Sequence, residues 1–206
     1  MESDPIKKLT EYFRGLPGIG PRQARRFAYY MLGRNNSFVN DFIMTLKEAK
    51  EKTRQCGSCR RFYAPGAQTS RGECSLCTQP ERDTTLLLVV EKDIDVDAME
   101  KSDAYKGKYF VLGGLFPILE KEPSRFMRDK ELARFIQKSK DLKEIIIALA
   151  ATAEGDHTAS YLKTVLVPSA EKPGIKISIL GRGLSTGAEL EYSDADTLTQ
   201  ALKNRA

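Results

Sequence analysis

From Thr84 onwards the sequence alternates short apolar runs with segments in which apolar residues recur at helical spacing. The apolar runs are TLLLVV, YFVLGG, EIIIALA and IKISIL, and the first is continuous enough for a strand buried on both faces. The segments between them, DIDVDAMEK, DKELARFIQKS and GDHTASYLKTVL, favour helices. This alternation predicts a mainly parallel sheet with helices on its faces, which is an α/β fold.

Carboxylates follow two of these predicted strands. Glu91 comes directly after TLLLVV, and Glu154 and Asp156 flank a glycine shortly after EIIIALA. Ligands of parallel sheets bind beyond the carboxyl ends of the strands, so the three acids converge if the two strands are neighbours. Acids in this position often hold Mg²⁺ in nucleic-acid enzymes. For the acidic run that starts at Asp93, a solvated helix start is the alternative.

The four cysteines form two CxxC pairs, Cys56 with Cys59 and Cys74 with Cys77, and 14 residues separate the pairs. Each pair can place two thiolates around one ion, so that two pairs complete a tetrahedral zinc site. Two disulfides or a redox motif are the alternatives, and both are uncommon in a cytoplasmic chain. Four thiolates leave no open coordination position, so we expect one structural Zn²⁺ per chain that helps this small module to fold.

The N-terminal part predicts three short helices. LTEYFRGL has apolar residues at helical spacing and ends at Gly15, and Pro-Gly-Ile-Gly then makes a tight hairpin. Pro21 suits the first position of a second helix, and a third is expected from Ser37 to Arg54. Three short helices make a thin core, so such a unit usually needs a partner, a metal or oligomerisation.

This helix-hairpin-helix arrangement predicts a phosphate-binding site. The N–H groups of the hairpin and of the next helix are unpaired, Gly18 and Gly20 let a phosphate approach them, and the helix dipole favours an anion. Arg22, Arg25 and Arg26 add positive charge beside the site. None of these groups reads a base, so DNA contact would be independent of sequence and sensitive to salt. An ordinary helical hairpin with a glycine turn is the alternative.

The charge of the chain is concentrated in the same region. The net charge is +5, and residues 1–55 alone carry 11 Lys and Arg against 6 Asp and Glu. A polyanion is therefore expected to bind the N-terminal part, although a solvated basic helical face would give the same balance.

Length and hydropathy limit the remaining classes. At 206 residues the chain suits one to two domains. Its longest apolar run, Ile145 to Ala151, is far shorter than the ~20 residues of a membrane span. The sequence MESDPIKKL lacks the pattern of a signal peptide, so we expect a cytoplasmic protein with no membrane partner.

The order of these parts resembles the RecR family of bacterial recombination mediator proteins over nearly the whole chain. LPGIGPRQAR resembles the family's hairpin, and the four cysteines resemble its zinc finger, with a longer loop between the pairs. LVVEKDIDVDAME resembles its first Toprim motif, with Glu91 and Asp95 at the acidic positions, and YFVLGG resembles the next strand. ATAEGDHTA resembles its second acidic motif, which holds Glu154 and Asp156, and GRGLSTGAELEYSDADTLTQAL its C-terminal, Walker-B-like segment.

The resemblance implies a domain order and a role. The implied domains are a helix-hairpin-helix domain (1–55), a four-cysteine zinc finger (56–83), a Toprim α/β domain (84–180) and a C-terminal oligomerisation segment (181–206). Members of the family act with RecO, and in some pathways RecF, to load RecA onto single-stranded DNA coated by SSB. They form ring-shaped tetramers that can clamp DNA, in the cytoplasm and at the nucleoid during repair.

The resemblance also implies roles for individual residues. It gives DNA contact to Arg22 and Arg26, zinc binding to the four cysteines, and RecO contact and DNA handling to the four Toprim acids. A Mg²⁺-dependent Toprim nuclease, primase or topoisomerase-like enzyme, with Glu91 as acid/base, is the alternative.

Three features favour the clamp. Catalytic Toprim domains usually present Asp-x-Asp where this chain has Glu154-Gly155-Asp156, no motif marks a nucleophilic tyrosine, and the chain has no room for a separate substrate domain. The sequence therefore predicts a non-enzymatic binding surface, with which a weak Mg²⁺ site is compatible.

Overall fold

The computed structural model shows two compact units, Met1–Thr53 and Arg54–Ala206. The first unit is helical, and the second is built around a β-sheet. Several residues of the loop between the CxxC pairs and of the predicted C-terminal segment lie outside the described part of the chain. The structure describes residues 4–66, 69, 72–169, 174–181, 183–184 and 186–203.

The described residues of the first unit form three helices, α1 (Pro5–Arg14), α2 (Pro21–Leu32) and α3 (Asn36–Lys52). The Asp4 carboxylate caps α1 by accepting a hydrogen bond from a first-turn N–H at 2.9 Å. The Asn35 side chain caps α3 in the same way, also at 2.9 Å. α1 and α2 pack edge to face through Phe13 and Phe27, whose ring centroids lie 5.7 Å apart. The predicted helix-hairpin-helix is therefore confirmed.

The prediction for the end of α3 was wrong by two residues. The helix was expected to continue to Arg54 but ends at Lys52. Thr53 is already extended, with ψ of 140°, and Arg54 pairs with Tyr63 in a β-hairpin. Strand pairing therefore replaces the last half-turn of helix.

The second unit begins with the four-cysteine module. Its hairpin consists of β1 (Arg54–Gln55) and β2 (Phe62–Tyr63), which are antiparallel, and α4 (Ser75–Thr78) follows. The N–H of Cys56 donates to the Arg61 carbonyl at 2.8 Å, so the first CxxC pair sits in the turn of this hairpin. The second pair frames α4, since Cys74 is its N-cap residue.

The rest of the second unit is an α/β domain. Its strands are β3 (Asp83–Val90), β4 (Gly107–Val111), β5 (Glu144–Ala148) and β6 (Lys176–Ile179), and its helices are α5 (Asp93–Ser102), α6 (Asp129–Lys138), α7 (Ala153–Ser169) and α8 (Ala195–Lys203). Across the described residues these strands form one parallel sheet in the order β4-β3-β5-β6. The α/β prediction is confirmed.

Two hydrophobic layers enclose this sheet. On one face Leu87 and Phe110 pack with Leu132 of α6 and Leu162 of α7. On the other face, residues that include Leu88 and Val90 pack with Val96 of α5. Alternate residues of β3 thus enter opposite layers, as its continuous apolar run predicts. Within the described ranges, no helix is long and apolar enough to cross a membrane.

Candidate nucleic-acid interface and metal centre

The turn between α1 and α2 leaves its backbone open to a ligand. Ile19 closes the turn by donating its N–H to the Leu16 carbonyl at 3.1 Å. Gly18 has a φ of 74°, in the left-handed region that glycine enters without strain. A Cβ atom placed on Gly18 or Gly20 would meet nothing within 4 Å. The absent side chains therefore give access from outside and do not serve packing within this chain.

The first turn of α2 presents its positive end at this opening. Pro21 occupies the first helical position, and Gly20 makes no side-chain capping bond. The first N–H groups of a helix have no partner inside the helix, and the macrodipole adds a partial positive charge there. An anion such as a phosphate would accept hydrogen bonds from these N–H groups and would also be attracted by the partial positive charge.

The structure brings the three predicted arginines to one groove. Arg22, Arg25 and Arg26 line a groove of about 1280 Å³ between α1 and α2, together with Lys7. All three arginines are exposed. None of them forms an ion pair with another residue that the structure describes. Their charges are therefore directed at the groove and the solvent.

The four cysteines meet at one point of the second unit. All four sulfur atoms lie within 4.8 Å of one another. The Sγ atoms of Cys56 and Cys77 are 3.8 Å apart, and those of Cys59 and Cys74 are 3.6 Å apart. Tetrahedral zinc with Zn–S bonds of ~2.3 Å would separate its sulfurs by ~3.8 Å, whereas a disulfide needs ~2.05 Å. The cluster can hold a metal ion, and its geometry is consistent with zinc.

The electrostatics of the cluster also favour a cation. Hydrogen bonding to the Cys56 sulfur, first of all from Cys59, lowers the pKa of Cys56. The same contact raises the pKa of Cys59, and the Cys56 thiolate likewise raises the pKa of Cys77. Deprotonation of Cys56 thus opposes deprotonation of Cys59 and Cys77, and without a cation the four thiols do not all become thiolates. A bound divalent cation would displace those protons and stabilise four thiolates at once.

Two acids of the first Toprim motif bind the cysteine module. Asp97 pairs with the Arg61 guanidinium at 2.7 Å, and Asp93 accepts a hydrogen bond from the Phe62 N–H at 2.6 Å. This role is not predictable from the sequence, because the partners are 36 and 31 residues away and no local pattern joins them. On the sheet side, the Val111 N–H donates to the Cys59 carbonyl at 2.8 Å.

The other two acids of that motif have different surroundings. Glu91 follows β3 directly, and its side chain, 12% exposed, pairs with the Lys92 ammonium at 2.7 Å. This hydrogen bond raises the pKa of Lys92. Asp95 accepts a hydrogen bond from the Lys92 N–H at 2.8 Å and so closes the first turn of α5. Asp95 thus contributes to helix capping.

The second acidic motif starts α7. Glu154 and Asp156 lie in the first turn of the helix and are exposed. Gly155 between them is buried, and a Cβ atom there would lie 1.9 Å from the Ala150 carbonyl oxygen. The glycine is therefore required by packing, whereas the two carboxylates face outwards.

Glu91 and the second motif share one edge of the sheet. β3 and β5 are neighbours, and Val90 pairs with Ala148 at their carboxyl ends. Nevertheless, the Toprim carboxylates do not gather into a metal cluster. Among the described residues, the four cysteines are the one group of three or more potential ligands whose donor atoms lie within 4.8 Å of one another.

Three sequence models of protein families match separate stretches of the chain, and residues 51–84, which hold the four cysteines, lie between the first match and the second. The model described as RecR, helix-hairpin-helix, matches residues 6–50. The Toprim domain model matches residues 85–181. The model described as RecR, C-terminal, matches residues 183–206.

Similar proteins named Recombination protein RecR share this length. That of Streptococcus uberis is 40% identical over 201 residues, which cover 98% of this chain and 96% of the relative. Those of Lactococcus lactis subsp. cremoris strain MG1363 and Streptococcus mutans serotype c are also 40% identical, over 203 and 201 residues, with the same coverage. Because this similarity spans nearly the full length and preserves the order of the parts, the chain belongs to the RecR family of recombination proteins.

Proposed function

We propose that this protein binds DNA as a non-enzymatic mediator of recombinational repair. The observation that carries the proposal is that the open end of α2 lies beside a groove lined by Arg22, Arg25 and Arg26. Helix-end amides and guanidinium groups attract phosphates and read no base. Such a grip suits a protein that must hold DNA of any sequence.

The proposed partners follow from membership of the family. The protein would act with RecO, and in some pathways RecF, to load RecA onto single-stranded DNA coated by SSB, in the cytoplasm and at the nucleoid. We keep the proposed domains at 1–55, 56–83, 84–180 and 181–206, with a Walker-B-like motif in the last, although Arg54 and Gln55 pair with β2 of the cysteine module.

A ring-shaped tetramer is part of the proposal. Ile43 and Leu46 on α3 are 54% and 63% exposed, and Leu190 and Tyr192 near the C-terminus are 64% and 81% exposed. Large apolar side chains at both ends of one chain support an assembly in which the N-terminal and C-terminal parts of neighbouring subunits cover each other.

We assign Zn²⁺ to the four cysteines as a structural ion. Four thiolates would close the tetrahedral shell, so the ion would stabilise the module and leave no position for a substrate. The sulfur separations and the burial of three of the four cysteines support this assignment.

The four Toprim acids would form a surface for RecO or DNA. The exposed carboxylates of Glu154 and Asp156 suit contact with another molecule. Asp95 caps a helix and Glu91 pairs with Lys92, so both also have roles within the fold. In the described part of the chain, no observation favours the Toprim enzyme over the clamp, and none supports a Mg²⁺ site at these acids.

The proposal is tested by following DNA binding and DNA integrity in one assay. Wild type is compared with Arg22→Glu plus Arg26→Glu and with Glu91→Ala plus Asp156→Ala, in Mg²⁺ or Mn²⁺ and then in chelator. We expect intact DNA throughout and loss of binding in the arginine variant alone. The logarithmic salt slope of its residual binding should fall by ~0.7 for each single-strand phosphate that the variant no longer neutralises.

A matched control distinguishes the contribution of the groove to DNA binding from an effect of the protein's net charge. Lys130→Glu plus Lys163→Glu makes the same charge change in the α/β unit and should leave binding nearly unchanged. Cleavage, ligation or relaxation of DNA that disappears in the acid variant would show an enzyme and refute the proposal. Equal loss of binding in the lysine control would refute the assigned groove.

A further inference from the structure

A separate recess lies between the cysteine module and α6, and the roles described so far do not use it. It encloses about 660 Å³, a volume within the range of small-molecule sites. Gly57, Ser58 and Arg60 line it from the module, and Arg134 and Phe135 line it from α6. Lys108 of β4 also lines it and donates to the Cys77 carbonyl at 3.0 Å. The recess therefore lies at the β4 edge of the sheet.

Positive charge predominates on the walls of this recess. Its cationic residues are Arg60, Lys108, Arg134, Lys138 and Lys140, and its acidic residues are Glu73, Glu131 and Asp141. None of these side chains forms an ion pair with another residue of the described ranges. The surplus of cations favours an anionic ligand.

Arg60 is a wall residue with a polar atom that lacks a hydrogen-bond partner. Its Nε–H is buried and has no hydrogen-bond partner. A buried donor without a partner is unfavourable, because it has lost its hydrogen bonds to water and gained none in the protein. Arg60 also has a φ of 65°, which is uncommon for a residue with a side chain. The buried Nε–H is closed to a ligand as well, but Arg60 lines the recess, so a ligand anion there would lie beside the charge of its guanidinium.

The recess also has an apolar part beside its charges. Phe135 lines it and is partly exposed, whereas Leu87 and Leu142, which also line it, are buried in the core of the sheet. A ligand that suits these walls combines phosphate oxygens with a flat, largely apolar group. Lys138 lies in the last turn of α6, where a cation also offsets the helix dipole, so its presence says less about a ligand. Arg60 and Arg134 are the more informative residues.

We propose that this recess binds a nucleotide, with Arg60 and Arg134 at its phosphate and the apolar wall near its base. The bound group is either a free nucleotide or the 5′-phosphorylated end of a DNA strand. A compact recess of this size holds one nucleotide and not an extended peptide. The proposal is independent of the hairpin groove, because it uses different residues of the other unit.

The test measures binding to the full-length protein carrying Arg22→Glu plus Arg26→Glu, so that the hairpin groove does not contribute. The probe is a 5′-phosphorylated dinucleotide with a 3′ fluorophore, followed by anisotropy. The competitors are the same dinucleotide without its label, the 5′-hydroxyl dinucleotide, free dATP and hexaglutamate. We expect Arg134→Glu to weaken binding of the phosphorylated probe at least tenfold. Arg60→Gly should weaken it similarly, and glycine adopts a φ of 65° without strain.

Lys130→Glu is the matched control, since it lies one turn earlier on α6 and does not line the recess. It should change the affinity less than twofold. Competition by dATP would identify a free nucleotide, and competition by the phosphorylated dinucleotide alone would identify a strand end. Any of three results would overturn the proposal. The 5′-hydroxyl dinucleotide could bind as well as the phosphorylated one, or Arg134→Glu could leave the affinity unchanged. The third is displacement of the probe by hexaglutamate but not by dATP or by the unlabelled probe. Circular dichroism and zinc content verify folding, and Arg134→Glu decides alone if Arg60→Gly does not fold.

Discussion

The first unit, Met1–Thr53, is called the helical unit here, and the second, Arg54–Ala206, which includes the cysteine module, is called the α/β unit. The two differ in how much of their apolar surface they bury. Among the described residues of the helical unit, only Ala24 and Ala28 are buried, whereas Phe42 and Leu46 of α3 are 46% and 63% exposed. In the α/β unit, two layers close over the sheet, and side chains as large as Phe110 are 0% exposed.

This difference indicates that the two units gain stability in different ways. The α/β unit covers both faces of its sheet within one chain, so its fold requires no other molecule there. The helical unit leaves an apolar stripe on α3 in solvent, and a surface helix of a stable domain normally buries such a stripe. We therefore expect a second subunit to cover α3, which agrees with the proposed ring.

The largest expected effect on stability lies in the cysteine module. This part of the α/β unit has a small core of its own, built on Cys56, Cys59 and Cys74. Cys59→Ser removes one of four thiolates and should lower zinc content to near zero. It should also abolish much of the ~10–16 kcal/mol that a structural zinc ion contributes. Metal analysis and limited proteolysis measure both effects.

Ser58→Ala in the same turn is the control and should keep its zinc. If Cys59→Ser stays free of metal and yet resists protease like the wild type, the module folds without an ion. Every part of the α/β unit would then fold without a bound ion, and its contrast with the helical unit, which leaves apolar surface exposed, would be greater.

A pair of leucine substitutions tests the contrast directly. Leu132 is 0% exposed, so Leu132→Ala should lower the free energy of unfolding by about 2–5 kcal/mol, because it leaves a cavity. Leu46→Ala removes a side chain that is 63% exposed and should change it by less than ~0.5 kcal/mol in a single subunit. Urea unfolding at protein concentrations too low for assembly measures both values.

Sedimentation supplies the second half of this test. Leu46→Ala should shift the assembly towards smaller species, whereas folded Leu132→Ala should assemble like the wild type. An unchanged assembly in Leu46→Ala would mean that α3 is not covered by another subunit.

Two glycines extend the comparison to the backbone. A Cβ atom on Gly155 would lie 1.9 Å from the Ala150 carbonyl oxygen, so Gly155→Ala should destabilise the α/β unit by roughly 3 kcal/mol. A Cβ atom on Gly20 meets nothing within 4 Å, so Gly20→Ala should cost at most about 1 kcal/mol, as an altered helix cap does. Thermal unfolding and DNA binding, measured together, distinguish the two.

Each outcome identifies what its glycine does. We expect Gly20→Ala to weaken DNA binding while the fold is retained, because its methyl group stands where a phosphate would approach. Unchanged DNA binding in Gly20→Ala would indicate that the turn does not contact phosphate.

Much of this fold is predictable from the sequence because its signals are local. The continuous apolar run of β3 and the helical spacing of α6 lie within single elements, and the two CxxC pairs bring their own geometry. The order of elements therefore follows directly. The hairpin before Pro21 is equally local, since glycine and proline fix the turn.

The parts that sequence analysis missed depend on distant contacts. For the acidic run that starts at Asp93, a solvated helix start was the alternative, yet Asp93 and Asp97 bind Phe62 and Arg61 of the cysteine module. The recess beside Arg60 arises where the cysteine module, β3, β4 and α6 meet in the folded chain. The end of α3 was misplaced for the same reason, because strand pairing decides it.

A smaller destabilisation than those of Leu132→Ala and Gly155→Ala is expected at β6, the edge strand on the side of β5. Glu144 of β5 accepts a hydrogen bond from the Ser178 hydroxyl at 2.7 Å and pairs with the Lys176 ammonium at 3.2 Å. These two contacts, the first more than the second, lower the pKa of Glu144 below its ordinary value of 4.5. A carboxyl with a lowered pKa stabilises the folded state above its unfolded pKa, and this contribution is lost as the pH falls through the folded pKa.

Glu144→Gln should therefore lower the free energy of unfolding by roughly 0.5–1 kcal/mol at pH 7, and by progressively less as the pH falls below about 4.5. Urea unfolding at pH 7 and at about pH 3 measures the difference, and Glu120→Gln in an exposed loop serves as the control. A destabilisation that stays the same at both values would mean that shape, and not charge, holds β6 in place. Packing would then hold the edge strand β6 in the sheet, as it holds the central strands. The contrast with the helical unit, whose apolar side chains are exposed, would be greater.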